Sequence, residues 1–143
     1  KTWSEMWTTQ VGLGMIPYYM FIARDTGSKS FFEVPLARSW RIFQKAYSNV
    51  SGICRTVRGP SMSANPGKVQ VLGISEIKGE KVFVLRFLQC RNPNYVDIPF
   101  FAKYDGRATW IDQLIPAFGE EQFFFEKDNL LSSSSEGPDF SWG

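Results

Sequence analysis

The sequence predicts an α/β fold in which a strand–helix–strand unit precedes an antiparallel hairpin and an irregular C-terminal segment. Three observations predict it. Residues 15–23, MIPYYMFIA, form a nearly unbroken apolar run; Leu36, Trp40, Phe43, Tyr47 and Val50 recur at helical spacing; and two extended apolar runs flank Lys78, Gly79 and Glu80. The 143 residues are 43% hydrophobic and 16% aromatic. A chain of that size removes roughly 70% of its unfolded surface from water on folding, so a core forms without disulfide or metal staples.

The elements follow in order. Trp3, Met6, Trp7, Val11 and Leu13 lie close to helical spacing, and Gly12 and Gly14 end the pattern, which gives a helix over 3–13. The run at 15–23 reads as a strand buried on both faces, with Pro17 near its start. RDTGSKS at 24–30 is a polar loop. Pro35 suits the first turn of a helix whose apolar spacings are 4, 3, 4 and 3, with Arg38, Arg41 and Lys45 off the stripe and Gly52 as a stop. An extended stretch at 53–57 then completes a right-handed βαβ unit. After a Gly/Pro/Ser-rich loop at 59–67, GPSMSANPG, the runs VQVLGISEI and KVFVLRFL read as a hairpin. Asn92, Pro93, Asn94, Pro99, Asp105, Gly106 and Pro116 predict irregular structure beyond Arg91, with one helical turn near 111–114. The end, LSSSSEGPDFSWG, reads as a mobile low-complexity tail. The division expected is 1–68, 69–91, 92–131 and 132–143.

Sixteen Lys and Arg against fourteen Asp and Glu leave a net charge of +2, too little to argue for nucleic acid or an anionic membrane. The chain has no His, so Ser/His and Cys/His dyads are excluded. Cys54 and Cys90 supply neither a disulfide framework nor a zinc set, and the chain reads as cytoplasmic. No apolar run approaches the roughly 18 residues of a membrane span, and no basic stretch followed by an apolar one suggests targeting. The chain opens at Lys1 and runs straight into Trp3, Met6 and Trp7, which reads as a piece of something longer.

Chemistry has few places to reside. The loop ending Asn65-Pro66-Gly67-Lys68 is built of residues that allow close backbone approach, and it delivers a lysine to the next strand. Such a lysine is either a solvated turn residue or a Schiff-base nucleophile. It is not a P-loop lysine, because Val69 follows it where Ser or Thr is needed. Tyr18 and Tyr19 lead to Arg24 and Asp25, just past the carboxyl end of the first strand, where α/β sheets carry ligands. Arg55 and Arg58 read as rim charges, since residues three apart on an extended segment face opposite ways. Glu120, Glu121 and Glu126 flank Phe123, Phe124 and Phe125 with no partner base.

The arrangement of PYYMF at 17–21, the helix after Pro35, Ser51-Gly52, and Pro66-Gly67-Lys68 before a hairpin resembles the C-terminal part of the lysine 2,3-aminomutase family of radical S-adenosylmethionine enzymes. The resemblance covers most of residues 10–90. It implies the end of a partial (β/α) barrel, and a Lys68 that holds pyridoxal phosphate as a Schiff base, with Tyr18, Tyr19 and Phe21 beside the cofactor. It also implies an amino-acid substrate whose amino group moves between adjacent carbons, and a homo-oligomer in which exposed Phe123, Phe124 and Phe125 serve as interface.

Two departures sharpen that expectation. Family members that act on lysine hold its distal ammonium with two aspartates, at positions matched here by Arg24 and Ser61. A cation and a hydroxyl cannot replace two carboxylates, since like charge in a poorly hydrated site costs several kcal/mol, so the pattern suits a carboxylate such as glutamate's. A one-residue slip that puts Asp25 in the first position partly restores the lysine reading. The chain also lacks CxxxCxxC, so the [4Fe–4S] cluster and S-adenosylmethionine would belong to a missing N-terminal half. The competing reading is a non-catalytic module that uses Arg55, Arg58, Arg86 and Arg91 to bind a protein or single-stranded RNA, or else a truncated remnant.

Overall fold

The computed structural model describes residues 2–23 and 33–128. Helix α1, Trp3–Gly12, opens on a capping box in which the Thr2 hydroxyl accepts from the Glu5 N–H and the Glu5 carboxylate accepts from the Thr2 N–H. Two donors that the first turn leaves open are thereby satisfied. Strand β1 is Tyr19–Phe21 and helix α2 is Leu36–Ser48. A 3-10 turn, Gly52–Cys54, leads to β2, Arg58–Ser63; β3, Gly67–Ile77; β4, Glu80–Cys90; and β5, Phe100–Lys103. The five strands form one open sheet in the order β1-β2-β3-β4-β5. The first pair is parallel and the rest antiparallel, so the fold is mixed α/β. No helix among the described residues is long and apolar enough to cross a membrane.

Strand alternation divides the sheet into two unlike faces. One face carries Met20, Met62, Val69, Val71, Phe83, Leu85 and Phe87, all buried. Helix α2 sets Leu36 and Ala37 against this face and donates its Trp40 indole N–H to the Leu72 carbonyl at 3.1 Å. Helix α1 joins through Trp7, which packs with Met20, Ala46 and Val50. At the β4–β5 end the same face is covered by Ala108, Ile111, Leu114 and Phe123. The other face carries Tyr19, Phe21, Ser61, Lys68, Gln70 and Arg86.

The helices and hairpin lie where their spacing predicts, while four expectations need correction. The strand at 15–23 is shorter and less buried than its composition suggests: ladder pairing is confined to Tyr19–Phe21, Phe21 is 57% exposed and Ile16 75%. β1 is an edge strand with a neighbour on one side, and apolarity reports what a strand could bury, not whether a partner is present. Residues 53–57 hold the 3-10 turn rather than the second parallel strand, which is β2 and contains Gly59, Pro60 and Ser61 of the expected loop. Pro60 is tolerated because the β3 pairing begins at Ser61, so no partner on that side needs its missing N–H. Gly59 has φ of 147°, and a Cβ there would lie 2.6 Å from the Met20 carbonyl oxygen.

The region beyond Arg91 is also more ordered than its punctuation suggests. It adds β5, with Phe100 opposite Leu85 and Ala102 opposite Phe83, and a 3-10 turn at Ile111–Gln113. Phe123 is buried, and Phe124 and Phe125 are half-buried against Phe87 and Phe100, so these rings close the core and are not an exposed interface. The tail at 132–143 lies outside the described residues.

Gly67 owes its identity to packing. A Cβ at Gly67 would sit 2.1 Å from the Gln89 carbonyl oxygen and 2.8 Å from Cys90 Cα, inside the backbone of β4. Replacing it must push β3 and β4 apart. Gly67→Ala is expected to lower unfolding stability by about 3 kcal/mol, whereas Gly12→Ala, with open space around its Cβ, should change it by no more than about 1 kcal/mol. Denaturant unfolding of the two variants checks this, and equal stabilities would refute the close-approach account.

Candidate functional site

The parallel β1–β2 pair builds the group of residues that carries chemistry. The Arg58 N–H donates to the Tyr18 carbonyl at 2.9 Å, and the Ile22 N–H donates to the Ser61 carbonyl at 2.8 Å. These bonds fix Tyr19 opposite Arg58 and Phe21 opposite Ser61. Antiparallel pairing then sets Ser63 opposite Lys68 and Ser61 opposite Gln70. Residues that are some 40 positions apart in sequence thus meet on one face of the sheet.

Lys68 is half-buried there, and its ammonium lies 4.5 Å from the centroid of the Tyr19 ring and 5.4 Å from that of Phe21. The Tyr19 and Phe21 rings are 5.2 Å apart and tilted by 38°, so they form a bent wall beside the amine. Tyr18 continues the wall, its ring 4.2 Å from that of Tyr19 in an edge arrangement, and Arg58 stands over Tyr18 at 5.9 Å. Two cations therefore flank a three-ring cluster and are held by ring faces. Among the described residues neither Lys68 nor Arg58 meets a carboxylate at ion-pair distance.

The neighbouring polar residues are differently committed. Ser61 is fully buried and its hydroxyl donates to the Met20 carbonyl at 3.5 Å, so it ties β2 to β1 and presents no surface to solvent. Gln70 is buried too, and its side-chain oxygen accepts from Arg86 Nε at 2.9 Å, while Arg86 Nη1 meets Asp97 at 3.2 Å. Sequence reasoning missed this pair; its signal was the placement of a polar residue opposite another in the middle of two apolar strands. Arg24 and Asp25 lie outside the described residues.

The arginines grouped for the binding-module reading are held by different partners. Arg55 donates to the Val50 carbonyl at 2.9 Å and lies over the Tyr47 ring, and Arg91 donates to the Asn65 side chain at 3.2 Å. Glu126, singled out beside the phenylalanines, caps a turn by accepting from the Phe123 N–H at 2.9 Å. Depressions of about 110 and 260 Å³ border Asn65 and Pro66, and Lys68 lines neither.

No family model matches the chain, and neither a curated protein nor a solved structure matches it.

The ring cluster has a measurable electrostatic signature. The adjoining Tyr19 hydroxyl, as hydrogen-bond partner and as a second ionisable phenol, raises the Tyr18 pKa above its ordinary value, and Arg58 and Lys68 oppose that rise. A raised phenol pKa favours folding below the unfolded value, and the contribution is lost as pH rises through the folded one. Tyr19→Phe is expected to move Tyr18 ionisation to lower pH, and Arg58→Gln to higher pH. Alkaline difference spectra check both, and shifts in the same direction would sink the assignment.

Proposed function

We propose that this chain is the cofactor-lysine portion of a pyridoxal-phosphate-dependent, radical S-adenosylmethionine aminomutase, at the end of a partial (β/α) barrel. The observation that carries the reading is the grouping of Tyr19 and Phe21 around Lys68 on one sheet face, with the Tyr18 ring edge-on to Tyr19. The sequence resemblance names these same four residues for one cofactor. The parallel β1–β2 pair joined through α2 supports the barrel assignment, because parallel strands with a helical crossover are the unit from which such barrels are made.

The residues present fit the cofactor. An aldehyde on a flat ring needs a primary amine without a competing ion pair, and it needs apolar surface against which the ring can lie. Among the described residues Lys68 meets the first requirement, and the rings of Tyr19 and Phe21 meet the second. When bound, pyridoxal phosphate supplies the carbonyl and conjugated ring through which an amino group passes between adjacent carbons. The chain's own part is positional. Lys68 Nζ would be the amine that holds the aldehyde, β1, β2 and β3 keep amine and wall in register, and the Ser61 hydroxyl ties β2 to β1. Arg24, just beyond β1, reads the far carboxylate of the amino-acid substrate. The [4Fe–4S] cluster and S-adenosylmethionine come from the missing N-terminal half, the site is cytoplasmic, and the assembly is a homo-oligomer.

Incubating the purified chain with pyridoxal phosphate, reducing with borohydride and mapping the pyridoxyl-lysine by mass spectrometry tests the reading. Label concentrated on Lys68, and absent there in Lys68→Met, is the expected result. Label spread over the other lysines, with Lys68 spared, would overturn it.

A further inference from the structure

Away from Lys68, the turn between β2 and β3 borders a cavity of about 260 Å³ to which the proposed function gives no role. Its walls include Pro66 on that turn, Trp110, and the rings of Phe123 and Phe125. Phe123 is buried and the other three are half-buried. The two phenylalanine rings stack at 5.4 Å with planes 7° apart, and both pack edge-on against Phe100, so the core holds this wall flat and in place. The charged groups of the cavity are Asp112 and Glu126. The Phe123 N–H donates to one Glu126 oxygen at 2.9 Å and leaves the other without a partner among the described residues. Asp112 sits in the 3-10 turn Ile111–Gln113, which Gln113 braces by accepting from the Thr109 N–H at 2.8 Å. The Asp112 carboxylate is exposed and meets no donor or cation among the described residues.

Two other depressions on the molecule balance their charge, and this one does not. Arg91 and Asp128 line one of them, and Lys127 and Glu120 line the other. Neither Lys nor Arg lines the 260 Å³ cavity. We propose that it binds a small organic cation, an amine carried on a flat apolar body, of which an arylalkylamine is the simplest case. Charge complementarity selects the cation, because two carboxylates face it without a competing positive group and the surrounding ring faces attract positive charge as well. Size selects the body. An apolar cavity of about 150 Å³ holds benzene, so the larger space here takes a ring together with the short chain that carries its ammonium to Asp112 at the rim. Such an amine stays protonated at neutral pH, since the pKa of an alkylammonium lies near about 10. The cavity shares no lining residue with the ring cluster around Lys68, so the inference stands apart from the reading of that lysine.

Three probes of one shape separate charge from shape: 2-phenylethylamine, the neutral 2-phenylethanol and the anionic 3-phenylpropanoate. Each is titrated into the isotopically labelled chain while the indole N–H signals of its five tryptophans are followed by NMR, and Trp110→Phe identifies the signal of Trp110. Saturable amine binding that moves the Trp110 signal is expected, with the alcohol weaker by about 10-fold and the acid weaker still. Asp112→Asn changes an exposed side chain that holds no part of the fold, and circular dichroism verifies its folding. It is expected to weaken the amine by about 5-fold and to leave the alcohol unchanged. Equal affinity for amine and alcohol, an amine preference intact in Asp112→Asn, or no saturable amine binding would each overturn the proposal. So would binding that moves another indole signal and leaves that of Trp110 in place. Tighter binding of Nα-acetyl-lysine amide than of the aryl amine would overturn the choice of ligand in favour of a protein side chain.

Discussion

Strand β2 hydrogen-bonds to a parallel neighbour on one side and an antiparallel one on the other, and at two places in the sheet the backbones come closer than any side chain would permit. At Gly59 the main chain presses on Met20, and at Gly67, where β3 begins, it presses on Gln89 of β4. Everything else inherits its position from this spacing. A parallel β1 requires its connection to cross over the sheet, so α2 lies on the Met20 and Met62 face. The opposite face, which none of the described helices covers, is where the rings of β1 and the cations of β2 and β3 meet.

The cations of this sheet fall into two kinds. Arg86 is fixed by Gln70, which is buried, and by Asp97, which is exposed, so it is the loss of Gln70 that would leave a part-buried donor without its acceptor. Lys68 and Arg58 are held by ring faces, an interaction worth about 0.5–1 kcal/mol at exposed sites. That is enough to orient a long side chain and too little to keep it from a stronger partner. The distinction separates residues that hold the fold from residues that are available for a ligand.

Much of the architecture was legible in the sequence because its signals were local. Leu36, Trp40 and Phe43 repeat at the helical period, and Lys78 and Gly79 both adopt positive φ, as the two-residue turn between the β3 and β4 runs requires. Tertiary context hid the rest. Gly59 and Pro60 are poor strand formers by composition, yet they occupy the strand centre where a close approach excludes side chains. Phe123, Phe124 and Phe125 looked exposed because nothing near them in sequence could cover them; their partners, Phe87 and Phe100, come from β4 and β5. The site was half visible. Lys68 announced itself through its loop, whereas Arg58 looked like an ordinary rim charge until β1 brought Tyr18 beneath it.

The two-residue turn at Lys78 and Gly79 also bears on the order in which the molecule assembles. Zipping β3 against β4 closes a minimal loop at each step, so the entropic cost is small and the hairpin can form early. Pairing β1 with β2 must instead close a loop of about 40 residues before any ladder bond repays it. Cooperative stability is therefore graded across the sheet, with amide protons of β3 and β4 the slowest to exchange and those of β1 the fastest. The lysine is rooted in the part that forms first, and the aromatic wall beside it belongs to the part that arrives last.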